Sequence, residues 1–189
     1  MTELYLASAS PRRRELLAQL GIAFEVVPAD VDEHWGGKEL PAEYTKRLAL
    51  EKARAGQRAA PASARVLGAD TAVVLDGRIL GKAETREDAI AMLRALSGRT
   101  HEVYSAVAVV RGSEEAVRLS VSRVTFRPLT EAEIAAYADT GEPLGKAGGY
   151  AIQGRAGAFV AHLEGSYSGV VGLPLFETDA LLRGTRAPS

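Results

Sequence analysis

Two long runs rich in β-branched residues, Val103 to Val110 and Val117 to Phe126, follow one another with only a turn at Arg111 to Glu115 between them. So short a link suits an antiparallel pair and forbids a parallel one, which needs a crossover of a dozen or more residues. The N-terminal part is built the other way. Leu4 to Ala7 reads as a short strand, Ser10-Pro11 opens a helix with Ser as N-cap and Pro at the first helical position, and Phe24 to Val27 reads as a second strand. Leu16, Leu17 and Leu20 give that helix an apolar stripe, and Gly21 ends it. A chain that needs both hairpins and helical crossovers is expected to form a mixed-sheet α/β fold.

The remaining elements follow from pattern. Residues 28–40 form a polar loop carrying Asp30, Asp32, Glu33 and His34. A helix is expected from about Pro41 to Gln57, with Tyr44, Leu48 and Ala55 near one face. Val66 to Ala69 reads as a buried strand ending at Asp70, and Val73 to Ile79 as a tight hairpin around Asp76-Gly77. Thr85 to Leu96 is helical, and Thr130 with Glu133 forms a capping box that opens another helix. Tyr150 to Gln153 and Phe159 to Leu163 read as short strands, and Leu173 to Leu182 as a last helix.

Composition narrows the function classes. At ~150 residues per domain, 189 residues make a single domain, 1–189, or one domain with two lobes. With 0 cysteines there is no disulfide framework and no thiolate metal site. Lys and Arg number 23 against 24 Asp and Glu, which argues against a polybasic nucleic-acid surface but not against a local basic pocket. No apolar run approaches ~18 residues, and the N-terminus lacks a basic start, so the expectation is a cytoplasmic protein with no membrane partner.

Three segments can carry chemistry. In Ser8-Ala9-Ser10-Pro11-Arg12-Arg13-Arg14 a strand feeds a helix whose free N–H groups, hydroxyls and guanidiniums suit an anion. The alternative is a solvated arginine face, and successive residues turn by about 100°, so all three arginines cannot meet one ligand. In Gly68-Ala69-Asp70-Thr71 a carboxylate at a strand end can hold Mg²⁺ or Mn²⁺ or act as general base, or can simply cap a turn. In the segment from Gly145 to Gly154, small residues allow close backbone approach and Lys146 supplies a phosphate-matching charge; a Gly-rich hairpin is the alternative. The segment is neither a Walker A loop nor a dinucleotide fingerprint. His34, His101 and His162 lie outside metal-ligand spacing, His101 reads as a turn residue, and lone lysines such as Lys52 and Lys82 read as surface charges.

Taken together these segments resemble the Maf family of nucleoside triphosphate pyrophosphatases. The stretches that carry the likeness are Leu6-Ala7-Ser8-Ala9-Ser10-Pro11-Arg12-Arg13, Gly68-Ala69-Asp70-Thr71, Leu96-Ser97-Gly98-Arg99-Thr100-His101, Glu142 through Gly154, and Gly172-Leu173-Pro174. The resemblance implies a fold similar to the inosine triphosphate pyrophosphatases, with two lobes around a central groove. It implies hydrolysis of a nucleotide to monophosphate and pyrophosphate with a divalent cation, Mg²⁺ or Mn²⁺, and assembly as a homodimer. Arg12, Thr71 and Gln153 stand where the family's dTTP/UTP-type branch has its specificity residues. The 7-methyl-GTP branch has an aromatic where Arg12 stands. Lys82 is followed by Ala83 where the family often has Pro.

By that resemblance Ser8, Arg13, Lys52 and Lys82 bind phosphate, Glu33 and Asp70 hold the metal, and Asp70 is the general base. Uracil and thymine show an N3–H donor beside an O4 acceptor, and the Gln153 amide complements both. A flipped amide suits cytosine equally, so something must fix its orientation. A purine or 7-methyl-GTP pyrophosphatase of the same fold is the alternative enzyme. A non-catalytic nucleotide-binding regulator of cell division is the alternative of another class, and it needs no carboxylate beside the phosphates.

Overall fold

The computed structural model describes residues 3–184. Seven strands form one sheet: β1 (Leu4–Ala7), β2 (Glu25–Val27), β3 (Arg65–Leu75), β4 (Arg78–Leu80), β5 (Thr100–Arg111), β6 (Glu114–Phe126) and β7 (Val160–Glu164). The order is β2-β1-β3-β5-β6-β7, with β4 paired to β3 off that path. The pairs β1/β2 and β1/β3 are parallel, and every other pair is antiparallel. Six α-helices accompany it: α1 (Pro11–Ala18), α2 (Pro41–Gln57), α3 (Arg86–Leu96), α4 (Glu131–Ala138), α5 (Tyr167–Val171) and α6 (Leu175–Gly184). The mixed-sheet α/β expectation therefore holds.

Local chemistry explains the boundaries. Ser10 caps α1 and Pro11 opens it; Thr85 and Thr130 close full capping boxes at α3 and α4. Asp76 and Gly77 both have positive φ, as the β3–β4 hairpin turn requires. The β5–β6 turn is tighter than its sequence suggests, because Arg111 already pairs with Glu114.

Four readings are corrected. Asp70 does not end a strand but lies inside β3, which continues to Leu75. The polar Asp70-Thr71 pair interrupts the apolar pattern while the backbone ladder runs on, opposite Ala106 and Ser105 of β5. What ends nearby is the parallel part of the sheet, since β1 pairs only as far as Ala7 with Gly68. Tyr150 to Gln153 is not a strand; it enters a turn that leads into a 3₁₀ helix, Arg155–Phe159. The last helix starts at Leu175, after Pro174, and α5 precedes it with Ser166 as cap. His101 is not in a turn but on β5, 2% exposed, packed edge-on against Phe126 and Tyr150.

One close approach sets the site. A Cβ on Gly68 would lie 2.3 Å from the Ala49 carbonyl oxygen and 2.5 Å from the Ala53 amide nitrogen, both backbone atoms of α2. With no side chain at Gly68, α2 settles directly on β3 and carries Lys52 over Asp70, two residues along the same strand face. Gly68→Ala is expected to cost about 2 kcal/mol through overpacking, seen as a lowered midpoint in urea unfolding.

Candidate active site

The site opens where β1 ends. Past Ala7, the Ser8 hydroxyl accepts the Ser10 N–H at 3.2 Å, and the Ser10 hydroxyl accepts the Arg13 N–H at 3.4 Å. Ser8 is buried behind this loop, and Ser10 is the hydroxyl that lines the groove. Arg12 and Arg13 both face the groove while Arg14 points to solvent, as the helical turn dictates.

Arg13 is anchored from two directions. Its Nε donates to the Gly172 carbonyl at 2.8 Å and its Nη2 to the Thr71 hydroxyl at 3.3 Å. The Gly172-Leu173-Pro174 stretch thus serves the site as a backbone acceptor for this guanidinium. The Arg12 Nε is buried and has no partner among the described residues. A buried unpaired donor in a groove is a group that a ligand acceptor satisfies.

The floor is an ion-pair chain. Lys52 Nζ lies 2.8 Å from Asp70 Oδ1 and 2.7 Å from Glu33 Oε1, and Lys82 Nζ lies 2.5 Å from Glu33 Oε2. Lys52 is not a surface charge: its side chain is 7% exposed, because it falls on the buried face of α2 one turn after Leu48. Lys82 is half-exposed, as a lone lysine is expected to be. Glu33 is held by its loop, where the Tyr44 hydroxyl donates to the Glu33 carbonyl at 2.7 Å.

The two carboxyls are tuned in opposite directions. Burial raises the Asp70 pKa, and the Lys52 and Arg13 charges offset only part of that rise. Partial burial also opposes ionisation at Glu33, but hydrogen bonds from Lys52 and Lys82 outweigh it and hold the carboxyl at about 2. Asp70 is therefore the group more disposed to accept a proton, and Glu33 stays an anion.

The glycine-rich segment forms the facing wall. It is not a hairpin but is stitched to the chain around Lys82: Gly145 N–H donates to the Ala83 carbonyl at 2.8 Å, Ala83 N–H to the Lys146 carbonyl at 3.2 Å, and Gly148 N–H to the Gly81 carbonyl at 3.1 Å. Lys146 and Lys82 are thereby fixed on one wall. Burial and the Arg12 charge both lower the Lys146 pKa. Gln153 also lines the groove, from the exposed turn after Ile152.

The groove takes five basic side chains (Arg12, Arg13, Lys52, Lys82 and Lys146) against one carboxylate, Asp70. A second, more open hollow, lined by Glu33 and Tyr44, adjoins it across Asp70, Thr71 and Lys82. An excess of cations around a buried carboxylate suits an elongated polyanion, with a proton acceptor at the junction. Among the described residues no group of three or more acidic or histidine side chains is placed to hold a metal ion.

The structure brings together Arg12, Arg13, Lys52, Asp70, Thr71, Lys82 and Gln153, with Glu33 joined through the lysines. Ser10, whose hydroxyl the sequence placed beside the helix N-terminus, lines the groove as well. The Gly172 carbonyl is an addition that the sequence does not reveal, because a backbone carbonyl leaves no side-chain signal.

Residues 3–185 match the family model described as Maf-like protein. The chain is 53% identical over 189 residues to a dTTP/UTP pyrophosphatase of Saccharophagus degradans, covering 98% of this chain and 90% of that one. It is 56% identical over 184 residues to a dTTP/UTP pyrophosphatase of Alkalilimnicola ehrlichii, covering 95% and 91%. Among solved structures, a nucleoside-triphosphatase, dITP/XTP pyrophosphatase, of Mycobacterium abscessus aligns with a TM-score of 0.41 and 22% identity, over 65% of this chain and 72% of that one.

Proposed function

The chain belongs to the Maf-like protein family, and from that premise we propose that it is a nucleoside triphosphate pyrophosphatase whose preferred common substrates are dTTP and UTP. The names of its full-length relatives support the reaction and the pyrimidine preference. The observation that carries the reading is the buried Asp70, with its raised pKa, on the floor of a cationic groove. A regulator that only binds nucleotide has no use for such a carboxylate beside phosphate. Because the groove draws on residues from Ser10 to Gly172, we propose that the chain works as one domain around it.

In the proposed reaction a water oxygen attacks the α-phosphorus. The bond from that phosphorus to the β-bridging oxygen breaks, leaving monophosphate and pyrophosphate. Asp70 takes the proton from the water. Arg13, Lys52 and Lys82 receive the phosphate oxygens, and the Arg12 guanidinium supplies the donor left unpaired in the groove. For this the two lysines must leave Glu33 and Asp70 for the substrate, so phosphate binding frees carboxylate oxygens.

Those oxygens fit a hard divalent cation such as Mg²⁺ or Mn²⁺, which takes one or two carboxylates together with substrate phosphates rather than an all-protein cage. Glu33 and Asp70 would hold it. When bound, it neutralises charge that builds on the phosphates. No helix among the described residues is long and apolar enough to cross a membrane.

The test is a pyrophosphate-release panel of dTTP, UTP, CTP, GTP and 7-methyl-GTP. The expected result is kcat/KM for dTTP and UTP at least ~10-fold above GTP, since a hydrogen-bonding site rejects mismatched partners by leaving its polar groups unpaired. Turnover is expected to stop in excess chelator. Equal kcat/KM for GTP and UTP overturns the base assignment, and full turnover in chelator overturns the metal.

A further inference from the structure

Among the described residues the Gln153 side chain makes no hydrogen bond, so its aim depends on the turn that carries it. That turn is gripped from outside the groove. The Tyr137 hydroxyl accepts the Ala151 N–H at 3.1 Å and donates to Glu142 Oε1 at 2.7 Å. Glu142 Oε2 accepts the Arg155 N–H at 3.3 Å. One phenol and one carboxylate thus hold the backbone two residues before Gln153 and two residues after it.

The fit is close. A Cβ on Gly154 would meet the Glu142 carboxylate at 2.4 Å, so the turn packs directly on that acid. Burial, followed by the bond to Glu142, pushes the Tyr137 phenol up, which keeps its proton available to the carboxylate. Tyr137 is 3% exposed and its ring lies edge-on to Phe159 at 5.2 Å. The clamp is therefore set into the core at one end and reaches the base-facing turn at the other.

We infer that Tyr137 and Glu142 are positioning residues for base selection: they fix the 151–155 turn, so that Gln153 meets the nucleobase edge at one distance and angle. The inference rests on the proposed reading of Gln153 as the residue that meets the base. A hydrogen-bonding residue displaced by an ångström loses much of its discrimination, while the phosphate and carboxylate groups on β3 and α2 stay in place. The clamp should therefore affect which base is hydrolysed far more than how fast the bond breaks.

The experiment compares kcat/KM for UTP and GTP in the full chain and in Gln153→Ala, Tyr137→Phe, Glu142→Ala, Glu142→Gln and the Tyr137→Phe/Gln153→Ala double variant. Tyr137→Phe keeps the ring and its packing on Phe159. Glu142 is only partly buried, which gives a second route should Tyr137→Phe fold poorly. The expected result is a UTP-to-GTP ratio lowered roughly 10-fold in Tyr137→Phe and in Glu142→Ala, with kcat on UTP changed less than about 3-fold. Glu142→Gln, which still offers an oxygen to Tyr137, should retain most of the ratio. The double variant should match Gln153→Ala alone, because the clamp acts only through that residue. An unchanged ratio in Tyr137→Phe and Glu142→Ala, where Gln153→Ala lowers it, overturns the clamp and leaves the base reading intact. So does full additivity in the double variant. An unchanged ratio in Gln153→Ala overturns the base reading, and the clamp with it.

Discussion

Asp70→Asn is expected to lower kcat by at least ~10²-fold, the scale of a lost general base, without lowering the melting temperature. The substitution keeps the side chain's shape and an oxygen for Lys52, whose ammonium also retains Glu33 at 2.7 Å. It removes an ionised group that burial disfavours. For an acid whose folded pKa lies above its unfolded value, stability falls as pH rises from the unfolded toward the folded value. At neutral pH the carboxylate therefore costs stability, and its neutral replacement should leave the melting temperature unchanged or slightly raised, a stability–activity trade-off. Near-normal turnover with a lowered melting temperature would identify Asp70 as a structural group and the base as another residue.

Lys52→Met is the variant with the largest expected loss of stability. It removes the ammonium between two carboxylates and leaves Asp70, 5% exposed, without its nearest counter-ion. Breaking a buried pair from one side costs about 3 kcal/mol or more. Glu33 contributes less to that figure, because its side chain is 35% exposed and retains Lys82. The loss should depend on pH with a definite sign. Without Lys52 the Asp70 pKa rises further, so the penalty is present near pH 8 and recedes as acid protonates the carboxyl. Urea unfolding at pH 8 and pH 5 checks this. A deficit equal at both pH values would mean that lost side-chain packing, not the unpaired charge, causes it.

Much of this architecture can be read from the chain. Pro41 at the first helical position and apolar residues at Tyr44 and Leu48 mark α2, Pro41–Gln57. Asp76-Gly77 marks its hairpin because few other pairs accept positive φ. The capping residues of α1, α3 and α4 are equally plain. The errors cluster at the site, where function breaks the local rules. Asp70 and Thr71 interrupt the apolar pattern of β3 because their side chains face ligand, while their backbone stays in the ladder. Tyr150 to Gln153 carries the residues of a strand but is held as a turn by Tyr137 and Glu142, which no local pattern reveals. Lys52 could have been recognised from spacing alone, since positions 44, 48 and 52 share one helical face. His101 could not, because its partner Tyr150 lies 49 residues away.

The sheet's change from parallel to antiparallel also orders the events of folding. β5 and β6 meet across a two-residue turn, where Arg111 pairs with Glu114, so their ladder closes almost as soon as both strands exist. β1 pairs with β3 at Leu4 and Arg65, and must wait for the whole of α1, β2 and α2 to be threaded between them. Ser10, Arg12 and Arg13 stand just beyond β1, and Lys52 is placed by the docking of α2 on β3. In refolding of the full chain the groove should therefore mature after the β5–β6 hairpin, and pulsed amide hydrogen exchange should find β5 and β6 protected before β1.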